Sequence, residues 1–304
     1  MKVLFVLSRD VMFFHGSGEV EAKLLQLGIQ LLGHECHIAG LDSGDFFDYD
    51  AYFLFSVRQD VLELFGKIPQ QRHCVIIPQV DDMDAAAAVE LNRRSQHLEN
   101  LSVLGRTAEE VGLLGNLFPG RRTLLAEGWF LKPFIHQDKS PVEYSDKQAG
   151  YCLCMVSADR DTGLAEMAST FQHRGQRLHV VSDRPDEHGQ RLKSFDNVRL
   201  EKRVPYGSLE WYMRLENCSS LYEPNPRLTC AVLEALWMGK RVFSPHADYI
   251  NSVIGADLVI DSADPSIWPS LAPCRHEVQN MIYRYHANFI AAKIFDSIGG
   301  GADA

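Results

Sequence analysis

A glutamate, Glu234, stands inside the apolar run Leu233-Glu234-Ala235-Leu236-Trp237. A carboxylate in that company is costly to bury without a partner. It either turns to solvent or meets hydrogen-bond donors, and ligand hydroxyls in a cleft are one source of them. Just upstream, Cys218 to Tyr222 is a short apolar run, followed by a loop through Glu223, Pro224, Asn225, Pro226 and Arg227. Thr229 is a good N-cap residue and Gly239 a good C-terminal stop, so the spacing predicts a helix between them and a strand at Lys240–Phe243. Near the start of the chain, Gly16-Ser17-Gly18 precedes a periodic segment that opens at Glu19-Val20-Glu21. A glycine loop entering a helix suits close backbone approach to a phosphate, because the first N–H groups and the helix dipole favour anions. The same loop also serves as a plain tight turn. His15 beside it, and Asp81 and Asp82 after the apolar stretch Cys74–Ile77, are the candidates for proton transfer. The aspartates read two ways: as a general base toward a hydroxyl, or as caps at the positive end of a helix over Ala85–Arg94. His34 and His37 read as structural.

The stretch 221–243 resembles the donor-binding region of glycosyltransferases built from two Rossmann-like domains, the GT-B fold, most closely the retaining family GT4. The family pattern is a strand, an S-x-x-E-G-F-G-like loop, L-E-A-x-A-x-G and a second strand. Leu233-Glu234-Ala235-Leu236-Trp237-Met238-Gly239 matches its second half. The first half departs: the family's earlier glutamate falls on Pro226, and the acid here is Glu223. At the other end of the chain, the strand Met1–Leu7, the glycine loop, the periodic helix and Gly33-His34-Glu35-Cys36-His37-Ile38 are similar to the first unit of the same enzymes.

The resemblance implies transfer of a sugar from a nucleotide-diphosphate sugar to a hydroxyl of a saccharide, small-molecule or lipid-linked acceptor. On that reading Glu234 accepts from the vicinal hydroxyls of the ribose. The helix N-terminus at Thr229, its hydroxyl, and the backbone near Gly16 and Gly18 take phosphate, and Arg227 adds a bidentate contact. The family motif G-R-x-x-x-x-K-G, whose two cations reach the diphosphate, corresponds to 156–163, where Ser157 and Thr162 hold the basic positions. Arg160 in that loop, with Arg227, is the candidate replacement. Glu223 and Asn225 are a rebuilt sugar pocket or simple loop residues. Tyr206, in Val204-Pro205-Tyr206-Gly207, stands where the family backbone faces the base, with Ser208 as a helix cap. Gln79 replaces a family histidine, so inversion through Asp81 or Asp82 stays open beside retention. The family typically holds the diphosphate without a metal, and no cofactor is implied. Two other classes remain: a sugar-nucleotide epimerase of the same fold, and a non-catalytic relative serving as a partner subunit.

The elements that must position these residues alternate. Strand signals fall near 3–7, 37–40, 51–55, 74–77, 101–104, 123–126, 151–156, 178–182, 198–201, 219–222, 241–244 and 258–260, with helical periodicity between many of them. That order predicts an α/β chain of stacked βα units. A length of 304 residues suits two domains of about 150 residues each. The polar stretch with Pro133 and Pro141 reads as a linker, giving an acceptor domain over 1–132, a linker over 133–148 and a donor domain over 149–280. Glu277 to Ile298 reads as one long helix, and the resemblance returns 281–304 to the first domain through Ile282, Phe289, Ile290 and Ile294, with the two domains facing a central cleft. A net charge of −10 argues against an extended nucleic-acid footprint, while peripheral membrane contact stays possible. No apolar run approaches the roughly 20 residues of a membrane span, and the N-terminus lacks a small-residue cleavage site, so the expected location is cytoplasmic. Seven cysteines without C-x-x-C spacing predict buried free thiols rather than disulfides or zinc ligands.

Overall fold

The computed structural model describes residues 1–7, 17–40, 48–55, 63–78, 85–133, 150–156, 163–182, 185–202, 204, 208–262 and 275–299. The chain divides into two compact units, Met1–Leu131 with Tyr285–Ala304, and Lys132–Arg284. Most of the predicted linker lies outside the described residues.

The first unit holds a six-stranded sheet of β1 (Lys2–Leu7), β2 (Glu35–Gly40), β3 (Ala51–Leu54), β4 (His73–Ile76), β5 (Leu101–Gly105) and β6 (Arg122–Leu125), in the order β2-β1-β3-β4-β5-β6. The second holds β7 (Tyr151–Val156), β8 (Arg177–Ser182), β9 (Val198–Lys202), β10 (Ser220–Tyr222), β11 (Arg241–Ser244) and β12 (Val259–Asp261), in the order β12-β11-β10-β7-β8-β9. Every pairing in both sheets is parallel. A parallel sheet is covered on both faces, which is why β1 is apolar at nearly every position and buried from Val3 to Leu7. The helices are α1 (Ser17–Leu31), α2 (Ala85–Arg94), α3 (Ala108–Leu117), α4 (Leu164–His173), α5 (Pro185–Leu192), α6 (Leu209–Asn217), α7 (Cys230–Trp237), α8 (Ala247–Ile254), α9 (Arg275–Ile282) and α10 (Ala287–Gly299). Among the described residues no helix is long and apolar enough to cross a membrane.

Each sheet has its own core. Leu4, Val6, Tyr52, Leu54, Ile76 and Val103 meet Leu91, Leu114 and Phe118 of the first unit's helical layer. Cys152, Cys154 and Val180 meet Met167, Phe171 and Leu192 in the second. Five of the cysteines are buried free thiols and Cys230 is half-buried and free. Burial pushes the thiols of Cys36 and Cys218 up to about 12, so neither forms a thiolate near neutral pH.

The C-terminal segment corrects one expectation. The single helix predicted over 277–298 is divided into α9, a 3-10 turn at Tyr283–Tyr285 and α10. The reason lies in the backbone. Tyr285 accepts a hydrogen bond from the Phe130 N–H at 3.1 Å, and the Ala287 N–H donates to the Phe130 carbonyl at 2.8 Å. These groups pair with the strand-like segment at Phe130 and cannot also continue a helical ladder. Ile282 therefore stays buried in the second unit, and Phe289 is 46% exposed. Ile290 and Ile294 are buried, in the helix that runs along α1. At Gly28 of α1 the approach is close: a Cβ there would lie 2.5 Å from the Ala287 carbonyl oxygen.

Candidate functional site

In the second sheet the chain builds β7, β8 and β9 outward in one direction and then returns to lay β10 on the other side of β7. Between β7 and β10 the connections therefore depart in opposite senses, and the crevice at their carboxyl ends is where open α/β sheets hold ligands. The two strands are in register from Ser220 opposite Cys152 to Tyr222 opposite Cys154. Gly163, the N-cap of α4, has φ of +62°. The Tyr222 hydroxyl comes within 3.8 Å of the position a Cβ at Gly163 would take, so a side chain there meets both backbone strain and the end of β10.

Glu223 leaves β10 at this edge. Its backbone N–H donates to the Phe243 carbonyl of β11 at 2.9 Å, and its residue is 4% exposed. One carboxylate oxygen accepts from the Asn225 backbone N–H at 3.0 Å and from the Asn225 side-chain amide at 2.8 Å; the other accepts from the Thr229 hydroxyl at 2.7 Å. Glu223 thus ties down the loop 223–229 with three donors and sets where α7 begins.

The Thr229 hydroxyl in turn accepts from the Val232 N–H at 3.3 Å, the side-chain cap expected at a helix start. A hydroxyl has one proton, and here it points at Glu223. In this structure the proton of Thr229 is therefore given to Glu223. The first turn of α7 follows this loop, at the helix end where the dipole favours an anion. Arg227 is half-buried on the same short loop. At the far end Gly239, with φ of +72°, closes α7: its N–H donates to the Leu236 carbonyl at 3.0 Å, and the Lys240 N–H to that of Ala235 at 2.8 Å.

Glu234 does not face solvent. It is 0% exposed, with one carboxylate oxygen accepting from the Trp211 indole N–H at 3.0 Å and the other from the Tyr212 hydroxyl at 3.2 Å. Both donors come from the first turn of α6, which Ser208 caps by accepting from the Trp211 N–H at 3.2 Å. Burial, with the adjacent Glu234 charge, raises the Tyr212 hydroxyl well above its usual range, so Tyr212 remains a donor. The donors that the sequence required of Glu234 are therefore supplied by the protein. The signal was present: an indole and a phenol sit side by side at the start of the preceding helix.

Of the other sequence candidates, Gly18 falls in the first turn of α1. His15, Gly16, Gln79, Asp81, Asp82, Arg160 and Tyr206 lie outside the described residues. A cluster in the first unit was not foreseen. Arg106, at the carboxyl end of β5, grips Glu21 of α1 with two bonds of 2.7 Å and lies 3.9 Å from the centre of the Trp129 ring. The Trp129 indole donates to the Glu21 carbonyl at 2.8 Å. The three side chains fix the first turns of α1 to the end of the sheet across more than eighty residues of sequence, a separation that local periodicity cannot reveal.

The architecture is that of the two-Rossmann-domain, GT-B, glycosyltransferases: two six-stranded parallel sheets with flanking helices. No protein-family model matches the sequence, and no curated protein matches it. Among solved structures the chain is similar to AviGT4, a glycosyltransferase involved in avilamycin A biosynthesis, with 15% identity, a TM-score of 0.64, and 99% of this chain and 98% of that one covered. It is similar to sucrose-phosphate synthase from Thermosynechococcus elongatus, with 11% identity, a TM-score of 0.67 and 98% of each chain covered. It is also similar to an α-glucosyltransferase in complex with UDP and DNA, with 10% identity, a TM-score of 0.65, and 98% of this chain and 99% of that one covered.

Proposed function

We propose that this protein is a glycosyltransferase that moves a sugar from a nucleotide-diphosphate donor to a hydroxyl acceptor. The observation that carries the reading is the switch point of the second sheet. There a buried glutamate organises a short loop and presents the N-terminus of α7 at the carboxyl end of β10. The N-terminal end of α7 receives the diphosphate, and Arg227, with Arg160 of the sequence that follows β7, supplies the positive charge that the GT4-like motif lacks here. As the bond to the leaving diphosphate breaks, charge grows on its oxygens, and preorganised donors stabilise that state more than the ground state. The similarity to glycosyltransferase structures supports this reading, as does the UDP in the α-glucosyltransferase complex. Retention of configuration, independence of metal and a saccharide, small-molecule or lipid-linked acceptor follow the GT4 resemblance, and a cytoplasmic location completes the proposal.

A panel of UDP-, GDP-, ADP- and thymidine-diphosphate sugars tests it, read by release of the nucleotide diphosphate in the presence of hydroxyl acceptors. One donor class is expected to turn over, with Arg227→Ala reducing kcat/KM for that donor by about tenfold or more. Nucleotide binding without turnover of any sugar would instead support a non-catalytic partner subunit, a reading favoured by the commitment of both Glu223 and Glu234 to protein donors.

A further inference from the structure

We propose that Glu234 is a positioning residue of the donor site: it docks the first turn of α6 on α7 and thereby fixes the N-terminal end of α7 at the switch point. This rests on the donor-site reading above and names the group that holds its phosphate-binding end in place. Two helices flank the same pair of strands. α7 follows β10, and α6, which leads into β10, lies along β7, where the Tyr151 hydroxyl donates to the Arg214 carbonyl at 2.9 Å. Both helices begin at the carboxyl edge, because each follows a strand of one parallel sheet. Glu234 joins their starts. It lies one helical turn after Cys230, the first residue of α7. Its two carboxylate oxygens accept from successive residues of α6, the Trp211 indole at 3.0 Å and the Tyr212 hydroxyl at 3.2 Å. Burying a carboxylate at 0% exposure is costly, and an apolar side chain would hold such a helix contact with comparable stability. What the carboxylate adds is direction. Packing tolerates sliding and rotation, whereas bonds to two separate oxygens select one placement of the α6 turn on α7. A shift of about 1 Å in the donors that face a leaving group is enough to cost about a hundredfold in rate.

The test is steady-state kinetics of the full chain with the donor sugar that turns over best, on variants shown by circular dichroism to be folded at the assay temperature. Glu234→Leu keeps an apolar contact without the bonds, and is expected to lower kcat/KM for the donor about tenfold or more, with KM for the acceptor unmoved. Glu234→Gln offers an amide oxygen to the Trp211 N–H and an amide N–H to the Tyr212 hydroxyl oxygen, so it is expected to recover most of that loss. Tyr212→Phe leaves Glu234 in place and removes one of its bonds, and is expected to lower the same kcat/KM about fivefold. Should Glu234→Leu not fold, the other two variants decide the matter. A glutamine variant that is severely impaired, with Tyr212→Phe at the wild-type value, would overturn the inference and assign the carboxylate to the ligand itself. Wild-type donor kinetics in every folded variant, with only the melting temperature lowered, would overturn it in favour of a structural role. No turnover of any donor sugar by the wild-type chain would overturn the donor-site reading and this inference with it.

Discussion

Thr229 joins two functions in one hydroxyl: it caps α7 by accepting from Val232 and holds Glu223 by donating to it. Thr229→Ala should therefore cost about 1–2 kcal/mol in urea denaturation, while Thr229→Ser, which keeps the hydroxyl, should recover most of it. A serine variant as unstable as the alanine one would show that the methyl, not the hydrogen-bond pair, is what matters. Glu234 makes the opposite case, since its removal strands buried donors. Glu234→Ala leaves the Trp211 indole N–H, in a residue 0% exposed, without its acceptor. The expected loss is about 1–3 kcal/mol, seen together with a change in Trp211 fluorescence. An alanine variant with wild-type stability would mean that the buried carboxylate is held for reasons other than these two bonds. Residues of this kind were only half legible in the sequence. That Glu234 needed donors followed from its apolar neighbours, but which donors depended on how α6 and α7 meet.

Elements were far more legible. Parallel strands buried on both faces, such as β1, β3 and β5, give dense apolar runs, and all twelve described strands stand where the sequence placed strand signals. Helix ends were readable where a cap residue does the work, as at Thr229 and Gly239. The C-terminal helix was misread because its interruption is caused by a distant backbone, that of Phe130, which leaves no mark on local periodicity. Gly28 tests how α10 is seated. Gly28→Leu places carbon atoms where the Ala287 carbonyl lies 2.5 Å from the Cβ position. Limited proteolysis should then release residues after 284 faster than in the wild-type chain; equal rates would mean that α10 is held without the close approach. Asp50 ties β1 to the start of β3, accepting from the Lys2 N–H at 2.8 Å and from Arg72 at 3.1 Å. The Lys2 N–H, with the charge of Arg72, lowers its carboxyl below the usual range. A group with a lowered folded pKa stabilises fully above its unfolded value, about 4, and loses that contribution as pH falls through the folded value. Asp50→Asn should thus flatten the acid limb of the stability profile below about pH 4 and leave its slope near neutrality unchanged; an unaltered acid limb would remove Asp50 from the acid response. The side chain is 47% exposed, so the effect stays small.

At the scale of the molecule, the order β12-β11-β10-β7-β8-β9 creates the switch point, and strand order is a property that sequence periodicity does not carry. The motif drew attention to Glu234, and the structure shows that the acid organising the loop before α7 is Glu223. The most direct measurement is backbone hydrogen exchange of the full chain, with and without the nucleoside diphosphate that binds most tightly. Slowed exchange is predicted at Cys230, Ala231 and the loop 223–229, since these N–H groups would be covered or bonded by the diphosphate. Slowing confined to other segments, with the start of α7 unchanged, would contradict the placement of the donor site.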